Sequence, residues 1–433
     1  MWTKLQAETS VKRQVAIAIF TQQRYAFWII CAAVTIQYPQ SRAEINYSHM
    51  SLIETRGVWL TNTDSKVFKS QQRIAEAMDF LAETGFNVVF PVVWNQGMTL
   101  YPSQRMLRTV GVEINPAFVN RDPLAEIVTE ARRVGLKVIP WFEYGFASSY
   151  NSNGGLLLQT KPEWAARDRN GKLLKKNGFE WLNALDSQVQ EFLLDLVMEV
   201  VQNYDVDGIQ GDDRFPALPC EGGYDEQTVA LYRYHFGHNP PQNPKHQQWL
   251  QWRADMLTAF LTRVYLKVKT VNSHLLVSMS PNIYDWGFKE YLQDSATWLR
   301  KGIVDMIHPQ IYRRDFISYK CLVNQLVAEQ FTDATLAKLA PGILIKLGAY
   351  SINFKHLLQI IECNRELGIK GEVCFFYEGL RANNHALAQV LRNGPYAKYA
   401  SFPTVADLSS ISLSNKKSVA LWPRIKRLLI NLF

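Results

Sequence analysis

A (β/α)8 barrel with long loops after its second, third and fourth strands is the fold class this sequence predicts, and three observations carry that expectation. Apolar, β-branched runs alternate eight times with helical patterns. Four helix-to-strand junctions share one form, in which a helical pattern ends in Gly85, Gly135, Gly302 or Gly368 and an apolar run follows at once. Glycine past a helix end takes the left-handed conformation cheaply and lets the chain turn straight into a strand. The third observation separates two α/β architectures: no glycine-rich phosphate loop follows any strand, which disfavours an open doubly wound sheet.

The eight expected strands are 56–60, 87–93, 137–144, 207–212, 275–280, 304–312, 339–345 and 372–378. Helices are expected near 70–84, 122–134, 187–203, 247–272, 288–301, 316–330, 353–367 and 380–392. Helix-to-strand links are mostly short, whereas the strand-to-helix links 95–120, 145–186 and 214–246 are long. In such a barrel these links all emerge on the catalytic face, so the extra length builds a rim suited to a large or extended substrate.

Of 433 residues, 47% are hydrophobic and 20% charged, enough to bury a sizeable core. The net charge of +8 suggests nucleic acid until it is divided along the chain: residues 1–43 carry +4, residues 395–433 carry +5 and residues 44–394 carry −1. A near-neutral body lacks the basic stripe that phosphate contacts need, so nucleic acid is not expected as a partner. Three regions follow: 1–43 as a signal peptide or N-terminal membrane anchor, 44–394 as the barrel, and 395–433 as a basic amphipathic tail. The first has a basic start, an apolar run over 25–38 and small residues at Ser41 and Ala43 around a cleavage position, which predicts export to the periplasm, the cell surface or the outside. The tail, ending LWPRIKRLLINLF, is a second candidate for membrane-surface contact, weighed against a packed terminal helix. Cys220, Cys321, Cys363 and Cys374 show no CxxC and no metal-ligand spacing, so they are expected to be structural thiols.

Strand side chains alternate between faces, which lets parity assign directions. In DVDGIQGDDRF (205–215), Gln210 and Asp212 share the polar parity and are expected to face the axis, with Asp212 aimed at the mouth and Asp213 opening the loop. Asp205 and Asp207 precede the strand and are expected to be structural. The same parity places Trp141 and Glu143 at the end of the third strand, Ser278, Ser280 and Asn282 on the fifth, His308, Gln310 and Tyr312 on the sixth, and Glu378 at the end of the eighth. Asn62, Trp94 and Asn95 follow the first two strands, and Tyr144 follows Glu143. Carboxylates ringed by amides and flat rings are the make-up of a sugar site, where acids serve as acid, base or nucleophile and rings stack on apolar sugar faces. The expected catalytic residues are Asp212, Glu143, Asp213 and Glu378. Those expected to contact substrate are Asn62, Trp94, Asn95, Trp141, Tyr144, Gln210, Arg214, Asn282, Gln310 and Tyr312. With no HxH or HExxH and eight His in all, neither a metal nor a cofactor is expected, although Asp212, Asp213 and His308 are the metal site weighed against this.

The segments TRGVWLTNTDS (55–65), GFNVVFPVVWNQGMTLYPS (85–103), RDPLAEIVTEARRVGLKVIPWFEYGF (121–146), DVDGIQGDDRF and SMSPNIYDWGFKEYLQD (278–294) resemble the bacterial glycosyl-hydrolase-like family ten, over Glu54 to Leu380. The resemblance implies a (β/α)8 glycoside hydrolase of the cell envelope, and for some members an action on peptidoglycan glycan strands. A weaker likeness, of Gly208–Asp212 to the GFRID pattern of amylase-type barrels, implies that Asp212 is the nucleophile. Gly211 and Arg214 depart from the family's pattern. A fixed cation at Arg214 is expected to hold Asp212 and Asp213 ionised, which suits a nucleophile, while Glu143 beside Trp141 is the expected acid. The alternatives are a non-catalytic glycan-binding protein on a degenerate barrel and a metal-dependent polysaccharide deacetylase.

Overall fold

The computed structural model describes residues 52–410. Eight parallel strands make its centre: β1 Thr55–Leu60, β2 Val88–Pro91, β3 in two pieces (Lys137–Val138 and Trp141–Phe142), β4 Gly208–Gly211, β5 Leu276–Met279, β6 Met306–Ile307, β7 Gly342–Leu344 and β8 Gly371–Phe375. They form a five-stranded sheet in the order β7-β8-β1-β2-β3 and a four-stranded sheet in the order β6-β5-β4-β3, so β3 belongs to both. At the other seam, parallel bridges join Ile307 to Leu339 and Gln310 to Gly342. The register aligns Cys374 with Val58, Val58 with Val89, Val89 with Val138, Gln210 with Trp141 and Gln210 with Ser278.

The principal helices between the strands are α1 Gln71–Thr84, α2 Pro123–Val134, α3 Ser187–Asn203, α4 Gln247–Val271, α5 Ser295–Lys301, α6 Phe316–Gln330, α7 Phe354–Glu366 and α8 Tyr377–Asn393. Their starts are fixed by side chains that accept from exposed backbone N–H groups, among them Ser70, Asp122, Asp186 and Asp294. α1 buries Ile74, Ala77, Met78 and Leu81, a 3–4 residue repeat that turns one face to the sheet. All four junction glycines adopt positive φ, from 66° at Gly302 to 95° at Gly85.

Each expected strand overlaps an observed one, and the differences are at the ends and in the long links. The chain ends β8 at Phe375 and begins α8 at Tyr377, so Glu378 lies in a helix's first turn rather than on a strand. The helix expected over 288–301 divides into Trp286–Tyr291 and α5, because Leu292 takes the left-handed conformation with φ 59°. The long links carry structure of their own: Ala147–Tyr150, Lys175–Lys176 and Phe179–Trp181 form an antiparallel sheet after β3, and Glu226–Phe236 is a helix after β4.

Residues 395–410 belong to the body rather than to a tail. Ala400–Ser401 pairs with Leu52–Ile53, Tyr396 is buried with its hydroxyl donating to Glu372, and Arg56 donates to the Tyr396 and Lys398 carbonyls. The expected leader over 1–43 and the tail end LWPRIKRLLINLF lie outside the described residues, and no helix within them is long and apolar enough to cross a membrane. Cys220, Cys363 and Cys374 are free and buried, and Cys321 is free and exposed.

Candidate active site

Trp59 of β1 donates its indole N–H to Gln210 of β4 at 2.6 Å, although β1 and β4 are neighbours in neither sheet. Both side chains therefore point into the space between the sheets, which is the face parity gives to Gln210. Gln210 also donates to Ser278 at 2.9 Å and is fully buried, so it floors the site and is committed to the interior. Two residues on, at the end of β4, Asp212 is buried on the same side.

Arg214 gathers the acids. Its guanidinium lies 3.2 Å from Asp212 Oδ2, 2.8 Å from Asp213 Oδ1 and 3.9 Å from Glu143 Oε1. Its Nε donates to the Glu143 carbonyl at 3.1 Å, and the guanidinium stacks over Phe179 at 4.6 Å and Tyr144 at 5.5 Å. The loop that carries it passes so close to Gly145 (φ 48°) that a Cβ there would collide with the Arg214 carbonyl. Glycine at 145 is thus a condition of the close approach between the β3 and β4 loops.

Amides complete the cluster. Gln310 donates to Asp212 Oδ1 at 2.7 Å and Asn95 donates to Glu143 Oε2. Gln293 holds the Asp212 carbonyl at 3.1 Å and accepts from Asn282 at 3.1 Å, while Asn282 reaches the Asp213 carbonyl at 3.4 Å. Tyr312 packs on Phe375 at 5.3 Å, and burial first, then the three carboxylates, push its hydroxyl well above the ordinary tyrosine range. Among the described residues, Asn95 Oδ1, Asn62 Oδ1 and Trp141 Nε1 are buried without a partner.

Burial, not Arg214, dominates the titration of Asp212 and Glu143. Asp212 is raised well above the usual aspartate range by burial first and Asp213 next, with Arg214 pulling the other way. Glu143 is also raised, by burial, against Arg214 and the Asn95 hydrogen bond. The expectation that a fixed cation at Arg214 holds Asp212 ionised is therefore corrected: a carboxyl shielded from water loses more solvation than one shared guanidinium returns. For Glu143 the direction agrees with the expected acid role.

Two expected site residues, one a substrate contact and one a catalytic acid, are committed to other contacts. Trp94 is fully buried, donates to the Gly145 carbonyl at 2.9 Å and packs on Phe192, leaving no ring face for a sugar. Glu378 accepts from Ser65 Oγ at 2.8 Å and the Lys66 N–H at 3.1 Å, so it ties the loop after β1 to α8 and has no bond to the other acids. Asn62, in that same loop, keeps its buried Oδ1 without a partner among the described residues. His308, weighed as a metal ligand with Asp212 and Asp213, is buried against Phe90 with Nδ1 at 2.8 Å from the Ala340 carbonyl. Asp205 and Asp207 pair with Arg132 and Lys137 at the strands' N-terminal ends, which is the structural role expected of them.

Sequence reasoning missed Trp59, Gln293, Phe179 and Phe375. Trp59 was within its reach, since the parity of β1 places it opposite Val58 and Leu60. Gln293 follows a helix break and Phe179 sits in a hairpin inside a long link, where no periodicity announces a direction.

The model of the family described as Glycosyl hydrolase-like 10 matches residues 54–359. Among curated proteins, the chain is 25% identical over 302 residues to the glycosyl hydrolase DigH of Escherichia coli K12, covering 59% of this chain and 65% of DigH. It is 22% identical over 394 residues to the glycosyl hydrolase YngK of Bacillus subtilis, covering 83% of this chain and 73% of YngK. The chain thus spans just under two thirds of DigH. Among solved structures, the glycoside hydrolase domain of PgaB (BpsB) from Bordetella bronchiseptica superposes with a TM-score of 0.59 at 14% identity, over 78% of this chain and 99% of that one. The catalytic domain of a Paenibacillus polymyxa β-amylase superposes with a TM-score of 0.55 at 11% identity, over 80% and 99%. At such identities these structures speak for the fold alone. With the model matching well over half of its length, the chain belongs to the Glycosyl hydrolase-like 10 family.

Proposed function

We propose that this protein is a glycoside hydrolase that cuts a cell-envelope or extracellular glycan, peptidoglycan strands being the leading candidate, on a (β/α)8 barrel closed through the β6–β7 seam. The observation that carries the reading is the gathering of Asp212, Asp213 and Glu143 around Arg214 at the C-terminal ends of β3 and β4. Catalytic groups of this fold sit at that end of the strands. Export, through the segment over 1–43, is part of the proposal.

In this reading Glu143, whose carboxyl burial keeps protonated to higher pH, donates a proton to the leaving oxygen. Asp212 attacks the anomeric carbon or activates a water. Two donors, Gln310 Nε2 and Arg214, are aimed at its carboxylate form and partly offset the cost of burial. Asp213 and Arg214 set the local charge, while Asn95, Asn282, Tyr144 and Tyr312 surround the sugar. Glu378 is assigned to holding the loop after β1.

The test is turnover of peptidoglycan strands and of an aryl glycoside with a good leaving group, with products identified by mass spectrometry. Asp212→Asn should abolish both activities. Glu143→Gln should lose the natural glycan and keep the aryl glycoside, which departs without protonation. The opposite pattern exchanges the two roles, and full activity in both variants refutes the assignment. Tight glycan binding with no turnover by the unaltered protein would leave the binding-protein reading.

A further inference from the structure

A cleft of about 480 Å³ adjoins the acids, between the segments that follow β5 and β6. Its lining includes Asn282, Tyr284, Trp286, Gln310, Tyr312 and Arg313. Gln310 is the residue that donates to Asp212, so a sugar ring in this cleft would sit next to the reacting centre. Two features set the cleft apart. Trp286 is 52% exposed, although its ring packs on Tyr291 at 5.4 Å; a large apolar surface is left to solvent beside the site. Arg313 donates to its neighbour's carbonyl, Tyr312 O, at 3.1 Å and makes no ion pair among the described residues. The acid of the same cleft, Asp285, is already paired with Lys289.

We propose that this cleft is a subsite for a sugar bearing a carboxylate, with Trp286 stacking on the ring and Arg313 receiving the acid. A guanidinium presents two parallel N–H donors that fit a carboxylate, and an unpaired one lining the same cleft as an exposed indole supplies both halves of acidic-sugar recognition. The carboxylate could belong to an ether-linked lactyl group or to a uronic acid, and both offer the same planar anion. The proposal rests on the glycoside hydrolase reading for its place beside the acids, but not for its binding chemistry.

The experiment measures affinity of the full chain for four polymers: peptide-free peptidoglycan strands, hyaluronan, and each of these after carbodiimide activation and borohydride reduction, which turns carboxylates into neutral alcohols. The unaltered protein should bind one carboxylated polymer at least about tenfold more tightly than its reduced form, with the preference fading as salt rises. The arm in which it appears names the lactyl or the uronate source. Arg313→Gln should erase the preference and leave binding of the reduced polymer unchanged, whereas Trp286→Leu should weaken both forms. Equal binding of carboxylated and reduced polymers in both arms overturns the proposal, as does a preference that survives in Arg313→Gln. Since binding is read without turnover, a protein that shows the preference and cuts nothing fails only the hydrolase reading.

Discussion

Replacing Arg214 by Gln removes the one cation that three carboxylates share, and the consequence can be worked out from the distances. The guanidinium stands 3.2 Å from Asp212 and 3.9 Å from Glu143. At an effective dielectric constant of ~20, each such pair amounts to about 4–5 kcal/mol. Water entering the space left by the side chain returns part of that, and the remainder should raise both carboxyls further. Arg214 lowers both groups at present, and without it both move up. The two limbs of the pH–rate profile report the ionisations of Asp212 and Glu143. Both limbs should therefore shift to higher pH together, which is a displaced bell rather than a flattened one.

Stability gives a second reading of the same change. A carboxyl whose pKa is raised by folding costs nothing while protonated, and destabilises the fold as pH climbs through the raised value. The variant should unfold at nearly the same urea concentration as the original near about pH 4, and markedly earlier near about pH 8, where ionising the buried Asp212 and Glu143 carboxyls costs more without the cation. Limbs that stay in place, or a loss of stability equal at both pH values, would refute the electrostatic account of Arg214.

Gly211→Ala would set a Cβ 2.6 Å from Met279 Cε and from Phe215 Cδ1 and 2.8 Å from the Phe215 carbonyl, so a loss of about 1–3 kcal/mol is expected in thermal or urea unfolding. Arg253, buried without a carboxylate, donates to the carbonyls of Cys220, Gly222 and Pro244, and burial pulls its pKa down to about 10. Arg253→Met leaves those carbonyls unpaired, and a cost of about 2–5 kcal/mol should appear with faster proteolysis between β4 and α4. Asp212→Asn should lower kcat on the natural glycan by at least about 10²-fold with the fold intact by circular dichroism.

Much of this architecture was legible because it is written in short-range terms. Alternation, helical repeats and junction glycines are local, and they located all eight strands and the inward parity of Gln210 and Asp212. What escaped was decided by contacts between segments far apart in the chain. Glu378 carries the parity of a mouth residue only if β8 runs on to 378, but Phe375 ends that strand and Ser65 claims the carboxylate. Trp94 follows a strand as a substrate-stacking ring would, yet the β3 loop folds over it and takes its N–H. Tyr396 lies past the last expected helix, and the buried Glu372 and Arg56 and the Phe86 ring draw it back into the body.

Gly211 shows the same limit from the other side. By sequence it is a departure beside the strongest catalytic candidate, and so a reason to suspect a degenerate site. In the fold, the space a side chain at 211 would need is filled by Phe215, whose ring packs on Phe142 at 6.2 Å and stacks on Phe146 at 5.9 Å. An aromatic from the following loop supplies the packing, and Asp212 keeps its direction into the cleft with Gln310 on one oxygen and Arg214 on the other. The missing side chain at 211 is therefore no evidence against catalysis. What sets the acids apart is Arg214, which lowers Asp212 and Glu143 against their burial, and the upward shift of both limbs in Arg214→Gln is the result that shows it.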